Sequence, residues 1–556
     1  MKKYCSIIFL IAASGLVISS CKKYYEDVPV EQIGEQYVWD PLDSNGTNAR
    51  LYLNQIYSLL PTGFNRLSSD FLCSASDDAI PSRLSTDVRN MATGGINIFF
   101  QSNMDNTWNN DYAGIRKATI FLTNFAIVPL KDPNEKRYWF GEARVMRAMF
   151  YWELVRRWGG VPLLGDSVKT LEDDVEVSRN TFDECIQYIV SECNIAKDSL
   201  RPDPVDESNI GRWTQAGAMA LKARVLLYAA SARHNGENPG NELTGYTSYD
   251  VNRWKLAADA AREIMNLGVY QLDTLFKNIF ISDRSVETIF AKTKMANHYV
   301  ETNNGPPNIA SAFANGYTSP TQELVDAFGM SNGRDITDPL SGYNPDSPYN
   351  NRDSRFYATI LYNGAQWLST PLQTYDGGFA KPGGTSTQTQ TSYYLRKFMG
   401  NFENSTQYSD HYSDFIIFRY TEVLLNFAEA ENEFAGPDAD VYGAIDSIRR
   451  RAHLNPYLLD PGISQDSMRI IIRNERRKEL AFEEHRYWDI RRWKIAGEVY
   501  NKDLHGMSIS KNAAGDLTFN VVPVLTTVFD ESRMYFYPIP YNEIVSNKNM
   551  VQNPGW

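Results

Sequence analysis

The sequence predicts a mainly α protein, a degenerate tetratricopeptide-like helical-repeat scaffold carrying a large loop-rich insertion with short β hairpins. Three observations lead there. Apolar residues recur at helical spacing from about residue 108 to 267 and again from 419 to 494. Small residues are concentrated where helices would need to approach closely: Ala216, Ala218, Ala220 and Ala223, then Ala257, Ala258, Ala260 and Ala261. Residues 290–413 lack such periodicity and are rich in Gly, Pro, Asn, Ser, Thr and Tyr, with turn signals at Asn303-Asn304-Gly305-Pro306-Pro307, Gly377-Gly378 and Pro382-Gly383-Gly384.

The chain begins with a targeting pattern that is excluded from fold reasoning. Lys2 and Lys3 precede an apolar run at 7–18, and Ile18-Ser19-Ser20 leads into Cys21. The run is too short for a comfortable membrane-spanning helix. Small residues before a cysteine at this distance resemble a bacterial lipobox, so residues 1–20 are read as a lipoprotein signal peptide and Cys21 as the lipidation site. An ordinary secretory signal with an incidental cysteine is the alternative. Residues 21–48 read as a lipidated N-terminus and tether, and 49–556 as a single unit. Its helical scaffold spans 108–289 and 414–494, and its ligand-binding insertion about 290–413.

Within that unit, residues 49–60 form a first predicted helix, stopped by Pro61-Thr62-Gly63. Residues 64–104 form a long loop with enough apolar content for order. Helices follow at 108–125, 135–158 (stopped by Gly159-Gly160), 182–200 behind the N-cap candidate Thr181, 214–233, and 254–267 before Gly268. In the insertion, 323–328 is a short helix, and 357–362 and 415–418 are strand candidates. Residues 419–452 alone show the compact helix, Gly-Pro turn, helix form of one repeat.

Composition limits the chemistry. A formal net charge of −12, which becomes −14 once Lys2 and Lys3 are removed, and the lack of a sustained basic run argue against nucleic-acid binding. Of five Cys, only Cys73, Cys185 and Cys193 would remain unmodified in the mature body; they give no disulfide framework or metal-binding spacing and read as small buried hydrophobes. Six His, none paired at ligand spacing, predict no metal site, and phosphate-binding, nucleophile-elbow and dinucleotide motifs are absent, so no cofactor and no catalytic residue are expected. Aromatics are in surplus, with 33 Tyr, 27 Phe and 11 Trp. Sugars offer apolar C–H faces to such rings and hydroxyls to Asp, Asn, Gln and Arg. The loops interleave both kinds of residue. Candidate ligand-binding residues are therefore Asp77, Asp78 and Arg83, the Phe99-Phe100 pair beside Asn97 and Gln101, Tyr317 beside Asn315, and Trp367 beside Gln366, with Trp367 the sharpest choice.

The most distinctive stretch is 469–494. Laid on a helix, it scatters Arg, Glu and apolar residues around every side, as expected of a buried post with ion pairs. The spacing offers local partners at i,i+3: Arg476 with Glu479, Glu483 with Arg486, Arg486 with Asp489, and Asp489 with Arg492. Within it, ERRKELAFEEHRYWDIRRW (475–493) closely resembles the C-terminal signature of the SusD/RagB family of outer-membrane nutrient-binding lipoproteins. GEARVMRAMFYWELVRRWGGVPLL (141–164) and the ending YFYPIPYNEIVSNKNMVQNPGW (535–556) resemble the same family. Many of its members have glycine where this chain has Glu484. The resemblance implies a surface-exposed, lipid-anchored outer-membrane protein that captures oligosaccharide and passes it to a TonB-dependent transporter without catalysis. It also implies a glycan site on loops near the N-terminal repeats and in the insertion. A peptide nutrient, or less readily a surface carbohydrate-active enzyme, remains as an alternative.

Overall fold

A computed structural model describes residues 35–556 apart from 101, 171, 175, 237–240, 308, 310, 311 and 384–387. Cys21 and the signal segment lie outside the described residues. The long helices are α1 (Thr47–Ser58), α2 (Trp108–Asn124), α3 (Pro133–Trp158), α4 (Phe182–Ser199), α5 (Gln215–Ala230), α6 (Asn252–Met265), α7 (Tyr420–Ala435), α8 (Ala439–Arg451) and α9 (Gln465–Glu479). Their ends follow local chemistry. Thr181 and Glu184 form a full capping box at the start of α4, and Asp132 caps α3 with Pro133 in its first turn. Gly159 ends α3 at φ 78°, where an added Cβ would lie 2.3 Å from the Leu243 carbonyl oxygen, so only glycine fits.

Each helix from α2 to α7 packs on the next, and α7 also packs on α9. The repeat path therefore continues from α6 directly into α7, across everything inserted between them. The alanines of α5 and α6 are buried at this seam. Two antiparallel strands, β2 (Thr288–Lys292) and β4 (Phe415–Arg419), close the base of the insertion, with Thr288 opposite Arg419 and Lys292 opposite Phe415. A second pairing joins β1 (Ala79–Pro81) of the long N-terminal loop to β3 (Thr318–Pro320) of the insertion. Inside the insertion the strand candidate at 357–362 is helix in its first half, the end of Ser354–Thr359 capped by Asp353; Ile360–Leu361 is extended, pairing with Tyr394–Leu395. A long hairpin, β5 (Asp503–Lys511) and β6 (Leu517–Thr526), follows the last helices and was not foreseen.

The 469–494 stretch is not one helix. After α9 the chain turns at Phe482 (φ 65°) and Glu484 (φ 62°) before α10 (Arg486–Arg492) begins. Glu484 thus takes the left-handed conformation that favours glycine, and its carboxylate bonds Arg66 at 2.7 Å. The turn redirects the charges. Arg492 keeps its local partner Asp489 at 2.8 Å, but Arg476 reaches across the break to Asp489 at 2.8 Å instead of pairing with Glu479. Glu479 receives Arg355, Arg419 and Arg451, and Glu483 receives Arg419 and Lys397. Arg419 and Arg451 also share Glu287, while Arg355 binds Asp353 and Glu475. Every one of these side chains is buried. The other three local pairs fail: the break separates Glu483 from Arg486, and elsewhere surrounding elements and the segment beyond the break supply better-placed partners.

Burial alone would push the carboxyls of Glu429 and Glu475 up, but Arg492 beside the first and Arg355 beside the second hold both down at about 2. A depressed folded-state value stabilises the protein above the ordinary carboxylate range and loses that stabilisation as pH falls through it. Urea denaturation between pH 5 and pH 2 should therefore show stability falling with pH, by on the order of 3 kcal/mol per group. Glu479→Gln should cost about 3–5 kcal/mol at neutral pH by leaving buried arginines short of a counter-charge.

Candidate functional site

The pairing of β1 with β3 builds the site's most defined feature. Beyond Pro81, Ser82 N–H donates to the Tyr317 carbonyl at 2.8 Å, and the chain then places the Arg83 guanidinium 4.3 Å from the centre of the Tyr317 ring. Cation and ring come from segments far apart in sequence, and the strand register brings them together. Arg83 is fixed from the other side by Asp70 at 2.9 Å and by the Ser68 carbonyl at 2.7 Å. Burial raises the Asp70 carboxyl above its ordinary value, and Arg83 opposes that rise. The supporting loop holds Asn65, Ser68 and Ser69 at positive φ, a conformation non-glycine residues rarely adopt. Arg83 and Tyr317 remain half-buried, and their sequence neighbours Leu84 and Phe313 are 68% and 71% exposed, an unusual apolar display on one pair of loops.

A second exposed aromatic surface joins Phe99 to Tyr541, with ring centres 4.9 Å apart and planes at 50°. Phe99 is 60% exposed and Tyr541 43%. The Ile98 carbonyl, accepting from Tyr541 N–H, ties this loop to the C-terminal segment. Asn97 is occupied locally, accepting from Phe99 N–H at 2.9 Å.

The other predicted residues are placed differently. Phe100 is buried edge-on against Tyr537. Asp77 and Asp78 are buried beneath the signature helices, Asp77 bound by Arg486 and Arg477 and Asp78 by Arg477. Burial pushes the Asp77 carboxyl up, but the two arginines outweigh it and hold it below the ordinary range; Asp78, with burial and the Asp77 charge against it, is raised. Trp367 is completely buried. Its Nε1–H donates to the Tyr408 hydroxyl at 3.1 Å, Phe402 meets its ring edge-on, and Arg396 lies 5.0 Å from the ring centre. These four residues have no surface to offer a ligand in this structure: the acids neutralise the basic post, and the two rings plug loops onto the scaffold. Asp70 and Tyr541 were missed from sequence, because a loop aspartate and a terminal tyrosine carry no local signal of their partners. None of the four cavities described is lined by a residue of the predicted set. Among the described residues no group of three or more His, Cys, Asp or Glu could hold a metal ion, and no helix is long and apolar enough to cross a membrane.

A helical-repeat scaffold presenting aromatic and arginine side chains on loops, with an insertion between successive repeat helices, defines a class of ligand-binding protein built for surface recognition. The chain belongs to the SusD family, whose family model matches residues 272–556. A second model, described as starch-binding associating with outer membrane, matches residues 50–227. The chain is 25% identical over 460 residues to SusD-like protein P2 of Formosa agariphila, covering 81% of this chain and 80% of that one. Among solved structures, a SusD-like protein from Bacteroides fragilis is 27% identical, with a TM-score of 0.78 over 95% of this chain and all of the other. A laminarin-binding SusD-like protein has the same fold at 21% identity, with a TM-score of 0.65 over 92% of this chain and 100% of its own.

Trp367→Ala should cost about 3–5 kcal/mol in thermal or urea unfolding, as expected for a buried aromatic. Its affinity for any glycan bound by the parent should not change under conditions where both proteins are folded.

Proposed function

We propose that this protein is a cell-surface glycan-binding lipoprotein, anchored through acyl chains on Cys21, that captures oligosaccharide and hands it to a TonB-dependent outer-membrane transporter. Residues 1–20 are then the signal peptide, 21–48 the tether and 49–556 the binding body. The observation that carries the ligand class is the Arg83–Tyr317 platform, which sets a tyrosine ring against a fixed guanidinium at a half-buried loop junction; Nη2 is spent on Asp70 and Ser68 and Nε is buried, so Nη1 is the donor Arg83 offers a ligand. Sugars need that combination: a flat apolar face and directed hydrogen bonds. Phe99 with Tyr541 supplies a second aromatic surface of the same kind. Family membership and the carbohydrate named for one structural neighbour agree with this reading. Capture and hand-off need differential affinity and no bond cleavage.

A glycan panel applied to the purified mature chain tests the reading in one experiment, by measuring both retained ligand and new reducing ends. Retention without product is expected; release of reducing ends at catalytic rates would replace a binding protein with an enzyme. Tyr317→Ala should weaken binding of the retained glycan by about 1 kcal/mol, roughly fivefold in Kd, and Arg83→Ala by at least as much. Cys21→Ala should give an unacylated protein that leaves the membrane fraction and binds glycan as the parent does.

A further inference from the structure

A cavity of about 440 Å³ lies away from the loop platform, where the turn after α5, Lys494 in the turn after α10 and the C-terminal segment meet. Its walls include Arg233, His234, Tyr246, Lys494, Tyr535 and Phe536. The volume is that of an ordinary small-ligand site. Its charge is unusual.

Arg233 is 8% exposed and takes part in no ion pair among the described residues. One terminal nitrogen donates to the Arg156 carbonyl at 2.6 Å, the guanidinium lies 4.1 Å from the centre of the Phe536 ring, and Nε finds no acceptor. A buried cation without a counter-charge is costly, and most buried arginines in this fold are neutralised by a carboxylate; Arg179, Arg352, Arg449 and Arg491 also have no ion pair among the described residues, and the first three are held by backbone carbonyls away from this cavity. Arg491 is the informative comparison. It too has no ion pair, but it is enclosed by Tyr487, Tyr500 and Phe529 with a ring centre 3.6 Å away, whereas Arg233 lines open space. The positive charge of Arg491 adds to that of Arg233, and together with burial it lowers the Arg233 pKa to about 9.

The remaining walls cancel only part of the charge. Lys494 is exposed at the rim, 5.5 Å from the centre of the Tyr535 ring and without an ion pair among the described residues. Arg533 is paired with Asp530 at 2.9 Å, and Glu531, which accepts from the Tyr535 hydroxyl and has no ion pair among the described residues, leaves one negative charge in the wall. Burial drives His234 far toward its neutral form, and its Nδ1 is taken by the Thr244 carbonyl. Arg233 and Lys494 therefore outweigh Glu531 in a lining that also presents the rings of Tyr246, Tyr535 and Phe536.

We propose that this cavity is a second ligand site, for a ring-sized carboxylate whose anionic group neutralises Arg233 and whose ring lies among Tyr246, Tyr535 and Phe536. A planar carboxylate matches the guanidinium fork, and the rings suit either a sugar acid or an aromatic acid. The inference needs only the cavity and its charge, so it stands or falls separately from the glycan platform.

Titration calorimetry of the mature full-length chain with glucuronate, benzoate and glucose tests it. At least one of the two acids should bind, glucuronate marking a sugar-acid source and benzoate an aromatic one, and glucose should bind about tenfold more weakly or not at all. Arg233→Met should weaken the bound acid by about 30-fold or more and Lys494→Met by only a few-fold. Because Arg233→Met removes an unpaired buried charge, its Tm should hold or rise, which a purely structural arginine would not allow. If that variant fails to fold, Arg233→Lys, which keeps the charge and loses the fork, should still weaken binding by about tenfold. The proposal is overturned if neither acid binds, if glucose binds as tightly, or if the folded Arg233 variant binds the acid unchanged. Glu237 lies outside the described residues; acid binding by Glu237→Gln but not by the parent would assign Arg233 to the chain's own carboxylate and also overturn it.

Discussion

The Glu479 carboxylate is the interaction on which this fold depends. It sits at the end of α9 and accepts three guanidinium groups: Arg355 from the insertion, Arg419 from the strand that closes the insertion, and Arg451 from α8. The charges around it balance. Arg355, Arg419, Arg451, Lys397 and Lys478 meet Asp353, Glu287, Glu475, Glu479 and Glu483. Such a network is weak evidence for net stability, because desolvating each ion costs several kcal/mol before any attraction is gained. What it supplies is location. A segment docked out of register would bury a charge without its partner, so the insertion can seat against the helical path in few other ways.

That constraint explains how a repeat path tolerates an interruption of this length. The insertion leaves after α6 and returns at α7, and these two helices pack on one another as if consecutive. Loop closure itself costs little more as a loop lengthens, so the difficulty lies in placing the inserted residues. Placement is achieved at three points: β2 with β4 at the base, β1 with β3 at the far side, and the buried ions at the post. The hairpin of β5 and β6 adds a fourth contact. Gly506 packs so closely on Thr391 that a Cβ would sit 2.6 Å from its Cα.

The sequence made the scaffold legible because helical periodicity, caps and small residues are local signals. Thr181 with Glu184, Gly159 and the alanines of α5 and α6 act in the structure as their local pattern predicts. The partners of the charges were not legible. Arg476 and Glu479 share α9, but the break after it brings Asp489 to Arg476, and nothing local to 480–484 announces that two non-glycine residues adopt positive φ there. The site followed the same rule. Arg83 and Tyr317 were both candidates from composition, but their contact arises from strand register between distant segments, and Asp70 enters only through that geometry. Trp367 looked like the best platform because it sits in a polar loop; a tight turn at Leu368 and Ser369, both at positive φ, folds that loop back on the scaffold and buries the ring.

The way the platform is built bears on how it works. Arg83 and Tyr317 stay in contact only while β1 and β3 remain paired, because the Ser82–Tyr317 hydrogen bond at the end of that pairing sets their approach. β1 follows immediately on Asp77 and Asp78, which the post holds through Arg477 and Arg486, and beyond β3 Thr321 hydroxyl donates to the Asp77 carbonyl at 2.6 Å. The acidic pair thus serves the proposed site from beneath: it clamps the base of both strands whose tips carry Arg83 and Tyr317. A platform clamped in this way is pre-organised, so little of the binding energy is lost to ordering side chains. It also follows that opening this junction by loop motion would break buried ion pairs.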